Sequence, residues 1–242
     1  MKLKKFSVFV GLVVLLIFSG KIEAQIPASV YHYEEKSSEG TLHHELKLDE
    51  DYFVHTIYRQ SPAEFIKTYG GYFTIADNNL IIQLEFNSDY IKDKITNLKI
   101  PFKLKNKTLI LEKPTQMTFS PTTHSAQVLD GKWLITGRVT DQGEERRDTS
   151  RPRKTMKYLL NGHFQWIAFN TETFEFFGCG GGTYEASNGK YIENIVYFSR
   201  DNSRVGATLS FNYEINGNDW YHTGKSSKGD PLNEIWTRRV HN

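Results

Sequence analysis

The sequence predicts an all-β protein of two tandem antiparallel up-and-down β-barrels. Three observations carry that expectation: apolar residues alternate with a period of two, Asn-Gly pairs punctuate the runs, and the order of features repeats at an interval near 112 residues. In Val205–Ile215, Val205, Ala207, Leu209, Phe211, Tyr213 and Ile215 share one side, with polar or small residues between them. A strand puts successive side chains on opposite faces, so this pattern describes one buried and one wet face. Leu80, Ile82, Leu84 and Phe86 form a second such series, and Leu98, Ile100, Phe102 and Leu104 a third.

Asn106–Lys107, Asn161–Gly162, Asn188–Gly189 and Asn216–Gly217 read as tight hairpin turns, because these residues tolerate the positive φ of a type I′ turn. Single helical turns are expected at Pro62–Lys67, with Ser61 and Glu64 as a capping box, and near Tyr90–Ile95. Antiparallel strands must deal with their edges, and closure into an eight-stranded barrel removes them. The competing architecture is a two-sheet sandwich.

The repeat sets LKLDEDYFVHTIY, GGYFTIADNN and LIIQLEFNSD of the first half against YLLNGHFQWIAF, GGTYEASNGK and YIENIVYFSRD of the second. A first β domain is therefore assigned to residues 25–112 and a second to 129–242. The Pro-, Thr- and Ser-rich stretch 113–128 reads as a linker with room for one edge segment. Residues 1–24 read as a secretory signal peptide: Lys2, Lys4 and Lys5 precede the apolar Phe6–Phe18, and Ala24 offers a small residue before a cut at Gln25. The expected location is accordingly periplasmic or extracellular, with no stable membrane insertion after cleavage. Without residues 1–24 the chain carries 26 Lys+Arg and 27 Asp+Glu, a net charge of −1. That balance offers no whole-protein attraction for nucleic acid. Cys179, the only cysteine, precludes an internal disulfide and reads as a buried structural thiol.

Gly131–Lys132–Trp133 opens the second half, and Glu234–Ile235–Trp236–Thr237–Arg238–Arg239 closes it. A Gly-x-Trp on the first strand with a basic residue on the last resembles the lipocalin (calycin) signature. Asn161–Gly162–His163–Phe164, Gly180–Gly181–Gly182–Thr183–Tyr184–Glu185 and Tyr191–Ile192–Glu193 resemble bacterial secreted lipocalin-like domains of unknown function. The resemblance covers about Leu129–Val240, with Tyr31 as the first-half counterpart of Trp133. It implies a barrel floor in which Trp133 stacks against Arg238 or Arg239; Arg238 shares the inward face with Trp236 by alternation, so Arg238 is chosen and Arg239 should point outward. It also implies binding of a small apolar or amphiphilic molecule, and it supplies no catalytic residues.

The ligand-binding candidates are Trp166, Tyr184, Glu193 and Tyr213, with Arg151 and Arg153 at the rim. Trp and Tyr offer large apolar faces with one polar handle, and rim arginines can hold a carboxylate or phosphate in a bidentate fork. The blander reading makes the aromatics barrel core and Glu144–Lys154 a solvated loop. No metal site is assigned: His43 and His44 are adjacent and would face opposite sides, while His222 and His241 lack zinc-motif spacing. No cofactor motif occurs, and Gly180–Gly182 reads as a bulge or tight turn rather than a phosphate loop. The expected action is sequestration of a ligand. The alternatives are a side-chain-filled module that docks a protein or glycan partner, and an enzyme working inside the barrel.

Overall fold

The computed structural model describes residues 25–226 and 228–240, so the leader expected at 1–24 lies outside the described residues. The first barrel is formed by β1 (Ser29–Ser37), β2 (Gly40–Leu48), β3 (Tyr52–Gln60), β4 (Ala63–Ala76), β5 (Asn79–Asn87), β6 (Asn97–Lys105), β7 (Thr108–Leu111) and β8 (Met117–Pro121). Each strand pairs with its neighbour in sequence, and β8 returns to β1 through Tyr31 opposite Pro121. The second barrel contains β9 (Gly131–Thr140), β11 (Arg153–Leu160), β12 (His163–Asn170), β13 (Phe176–Ser187), β14 (Lys190–Phe198), β15 (Thr208–Asn216), β16 (Asp219–Lys225) and β17 (Pro231–Arg238). It closes through β17 on β9, and a short β10 (Gly143–Arg146) folds back on the end of β9. Both are closed antiparallel eight-stranded barrels, an architecture consistent with the calycin fold.

The repeat is visible in the strands themselves. Asn79 to Lys190 and Asn97 to Thr208 are both steps of 111 residues, and these paired strands also end in step. The β-bulges repeat too, with the register shifting at Ile57/Tyr58 and Gly70/Gly71 in one barrel and at Ala168/Phe169 and Gly181/Gly182 in the other. Glycine is required at the second pair: a methyl on Gly71 would strike the Gln83 carbonyl oxygen, and one on Gly182 that of Asn194. Tyr31 and Trp133 also correspond, since Tyr31 Oη donates to Pro27 O at 2.7 Å and Trp133 Nε1 to Leu129 O at 2.8 Å.

Several local expectations need correction. Pro62–Lys67 is no helical turn, because Ala63–Gln60 pairing carries β4 directly out of a hairpin with β3. Tyr90–Asp93 is helical, within the expected Tyr90–Ile95. The Asn106–Lys107, Asn161–Gly162 and Asn188–Gly189 turns have positive φ at both residues. At the fourth turn, Asn216 instead ends β15 opposite Asp219, so the turn is Gly217–Asn218. Glu144–Lys154 is not one loop, since it holds most of β10 and the start of β11. Within 113–128, β8 completes the first barrel. Phe86 leaves the series of Leu80, Ile82 and Leu84, because the bulge at Glu85 reverses the face that follows it.

Three apolar clusters organise the molecule. One fills the first barrel with Tyr31, Leu46, Phe53, Phe102, Phe119 and their neighbours. Inside it, His44 Nδ1 lies 3.1 Å from His55 Nε2, and His55 Nδ1 lies 2.7 Å from Tyr69 Oη. A second cluster fills the floor of the other barrel around Trp133, Trp220, Tyr184 and Tyr191. The third joins the outer walls of the two barrels, with Tyr52, Val54, Tyr58 and Phe86 against Met156, Tyr158, Ile167 and Phe169. Polar groups cross this seam as well. Gln165 accepts from Thr56 Oγ1 at 3.1 Å and donates to Thr68 Oγ1 at 3.1 Å, and Lys132 Nζ reaches Asp49 Oδ2 at 2.8 Å.

Candidate functional site

The second barrel holds an open-mouthed cavity of about 210 Å³. Its apolar wall comes from Ile135 on β9, Trp166 on β12, Phe211 on β15, and Leu232 and Trp236 on β17. Two acid–base pairs interrupt that wall. Lys157 Nζ on β11 donates to Glu193 Oε1 on β14 at 2.7 Å, and Tyr191 Oη donates to the same oxygen at 2.8 Å. His222 on β16 lies with Nδ1 3.2 Å from Glu234 Oε2, which also accepts from Trp236 Nε1 at 2.9 Å.

The Lys157 ammonium sits among aromatic rings, 4.9 Å from the centroid of Tyr191, 5.1 Å from Trp220 and 5.4 Å from Trp236. Ring faces attract a cation, so the cage and Glu193 together replace the water this buried charge has lost. Burial and the nearby Lys157 charge push the His222 imidazole down to about 4. Its bond to His222 and the Lys157 charge hold Glu234 below its ordinary value despite burial, so it is ionised at neutral pH. A neutral imidazole facing a carboxylate must donate from Nδ1. Its Nε2 is therefore an acceptor, and it is buried with no hydrogen-bond partner.

Of the residues singled out in the sequence, Trp166 and Glu193 line this cavity. Tyr184 is buried deeper, its hydroxyl bonded to Asp130, and Tyr213 packs at the edge of the same cluster without reaching the cavity. Arg151 and Arg153 line a separate groove of about 380 Å³, which shares only Ile135 and Thr155 with the barrel cavity. There Arg151 pairs with Asp148 at 3.6 Å, and the Arg153 guanidinium lies 4.1 Å over the Phe177 ring. At the floor, the Arg238 guanidinium lies 4.3 Å over the Trp133 ring and donates to Asp130 O at 2.8 Å. Arg239 points away from the barrel interior, into the seam between the barrels, where it meets Glu85.

Sequence reasoning missed Lys157, His222 and Glu234. Lys157 lies opposite Trp133 in the β9–β11 ladder, a register that no pattern of single residues reveals. An alternating strand normally turns lysine to water, and only the aromatic cage makes the inward position tolerable. Cys179 is buried, and burial raises its thiol to about 12. A thiolate is the reactive form. The native protein is therefore expected to resist a thiol-specific chromogenic reagent at pH 8 and to release one equivalent after denaturation. Rapid labelling before unfolding would contradict this burial. In comparisons with known proteins, the chain matches no family model and no curated protein.

Proposed function

We propose that the second barrel sequesters a small amphiphilic molecule bearing a hydroxyl or N–H donor. The observation that carries this reading is His222, which lines the cavity with Trp166, Phe211 and Trp236 and whose buried Nε2 has no hydrogen-bond partner. An unsatisfied buried acceptor costs about 1–3 kcal/mol, and a ligand donor would recover much of it. The volume of about 210 Å³ lies below the ~300 Å³ at which ordinary ligand pockets begin, which selects a ring-sized molecule. This mode of action agrees with the lipocalin-like resemblance of the second half, and the leader would deliver the protein outside the cytoplasm.

The His222–Glu234 pair also favours a second reading, an imidazole base oriented by a carboxylate. Binding remains the stronger reading, because an imidazole held near 4 is a weak base at neutral pH. The first barrel, whose interior is packed with Tyr31, Phe53 and Phe119, supports the docking-module alternative for that half alone.

Phenol and toluene test the proposal, since they share a ring and differ in one donor. Titrations followed by tryptophan fluorescence should show phenol binding about tenfold more tightly, equivalent to ~1.4 kcal/mol for one added hydrogen bond. His222→Phe should abolish the preference. Equal affinities in the native protein, or no response to either compound, would refute the proposal.

A further inference from the structure

Four of the eight histidines, His32, His43, His44 and His163, line a single cavity of about 300 Å³ walled by residues of both barrels. This cavity is distinct from the one inside the second barrel. His32 projects from the outer wall of β1, Glu45 from β2, and His163 from the start of β12. One donor atom from each of these three lies within 4.8 Å of the other two, and His163 Nδ1 is 3.0 Å from Glu45 Oε2. From this juxtaposition we infer that His32, Glu45 and His163 form a site for a divalent transition-metal ion of the zinc type, shared between the two barrels.

The donor chemistry selects the ion. Two imidazoles and one carboxylate suit zinc and its neighbours, whereas calcium and magnesium want oxygen ligands alone. A tetrahedral ion with bonds of ~2.0–2.1 Å sets its ligand atoms ~3.3 Å apart. The His163–Glu45 pair is close to that spacing already. His32 is only half-buried and closes the remaining gap by turning its ring.

The surroundings hold these ligands as outer groups do in metal centres. Glu45 Oε1 takes the Lys47 ammonium and lies 3.3 Å from Tyr197 Oη, which leaves Oε2 facing His163. His163 Nε2 lies 3.4 Å from Thr122 Oγ1, a partner for the ring N–H once Nδ1 carries the metal. Three protein ligands leave a fourth position for water or an exogenous donor drawn from the adjoining cavity. The Lys47 charge opposes a dication and makes the site exchangeable rather than permanent. Since two ligands belong to one barrel and the third to the other, occupancy would staple the seam.

The test is a calorimetric titration of Zn²⁺ alone into tag-free, chelator-treated protein. One ion per chain is expected, with Tm rising by about 5 °C at a hundredfold excess over Kd. His32→Ala and His163→Ala should each weaken binding by ~100-fold or more while the far-ultraviolet spectrum is unchanged. His43→Ala, which alters the same cavity outside the triad, should leave Kd within about twofold. Co²⁺ should give the strong visible absorption of a four-coordinate ion in the native protein and lose it in His32→Ala. Absence of one-to-one binding, or unchanged affinity in His32→Ala, would mean a metal-free hydrogen-bond cluster and would overturn the assignment.

Discussion

Replacing Arg239 with alanine is expected to cost about 3–5 kcal/mol, against roughly 1 kcal/mol for its neighbour Arg238. Arg239 leaves the end of β17 and forks onto Glu85 of the first barrel, with Nη2 2.6 Å from Oε1 and Nη1 2.8 Å from Oε2. Tyr52 Oη donates to the same carboxylate at 2.6 Å, and the guanidinium lies 5.6 Å over the Tyr52 ring and 5.2 Å over Tyr72. Both partners are largely shielded, with 11% and 15% of their side chains exposed. Truncation therefore leaves a largely shielded carboxylate without its cation, and that loss exceeds the attraction of any exposed pair. Arg238 is exposed, and its loss removes a stacking contact and one bond to a carbonyl. Denaturant melts of the two variants decide the matter. A larger loss from Arg238→Ala would show that the Arg239–Glu85 clamp contributes little to holding the barrels together.

The second large effect is acid sensitivity. His222 titrates near 4 in the folded chain and near 6.5 when unfolded. Between those values the unfolded state holds a proton that the folded state does not, so stability falls as pH falls through this window. The loss is complete below about 4, and stability is fully retained above 6.5. The gap corresponds to roughly 3 kcal/mol. Burial is the main cause of the gap, the Lys157 charge from β11 adds to it, and Glu234 from β17 and Glu193 from β14 oppose it. His55 in the first barrel is held well below its ordinary value by burial and acts in the same direction. Melts of native protein and His222→Gln between pH 4 and 7 isolate the His222 share as a difference in slope. Parallel slopes would refute the assignment of this proton to His222.

The all-β class, the tight turns and the duplication follow from features that each strand carries within itself. Alternation along β6 and β15, the Asn-Gly pairs and the repeated double glycine depend only on local geometry, so they are legible without tertiary information. The Trp133 stack on a basic residue of the last strand was implied by the lipocalin-like resemblance, and the two-residue alternation of β17 selected Arg238 over Arg239. What the strands could not announce is that their outer faces would also be buried. Glu45, Lys47, Thr56, Thr68 and Gln165 occupy positions that alternation gives to water, yet all five are buried in the seam. Those positions are buried only because a second barrel covers them, and Glu45, Thr56 and Thr68 find partners there more than ninety residues away. A different reason hid His222, Glu234 and Lys157, which face the interior of the second barrel: which inward residues meet depends on register and shear that single residues do not encode. The sequence by itself determined the all-β class and the tandem pair of antiparallel sheets. Only the tertiary structure decided which polar groups would meet, because desolvation and the partners that compensate it exist only once the second barrel has closed around Lys157 and His222 and the two barrels are in contact.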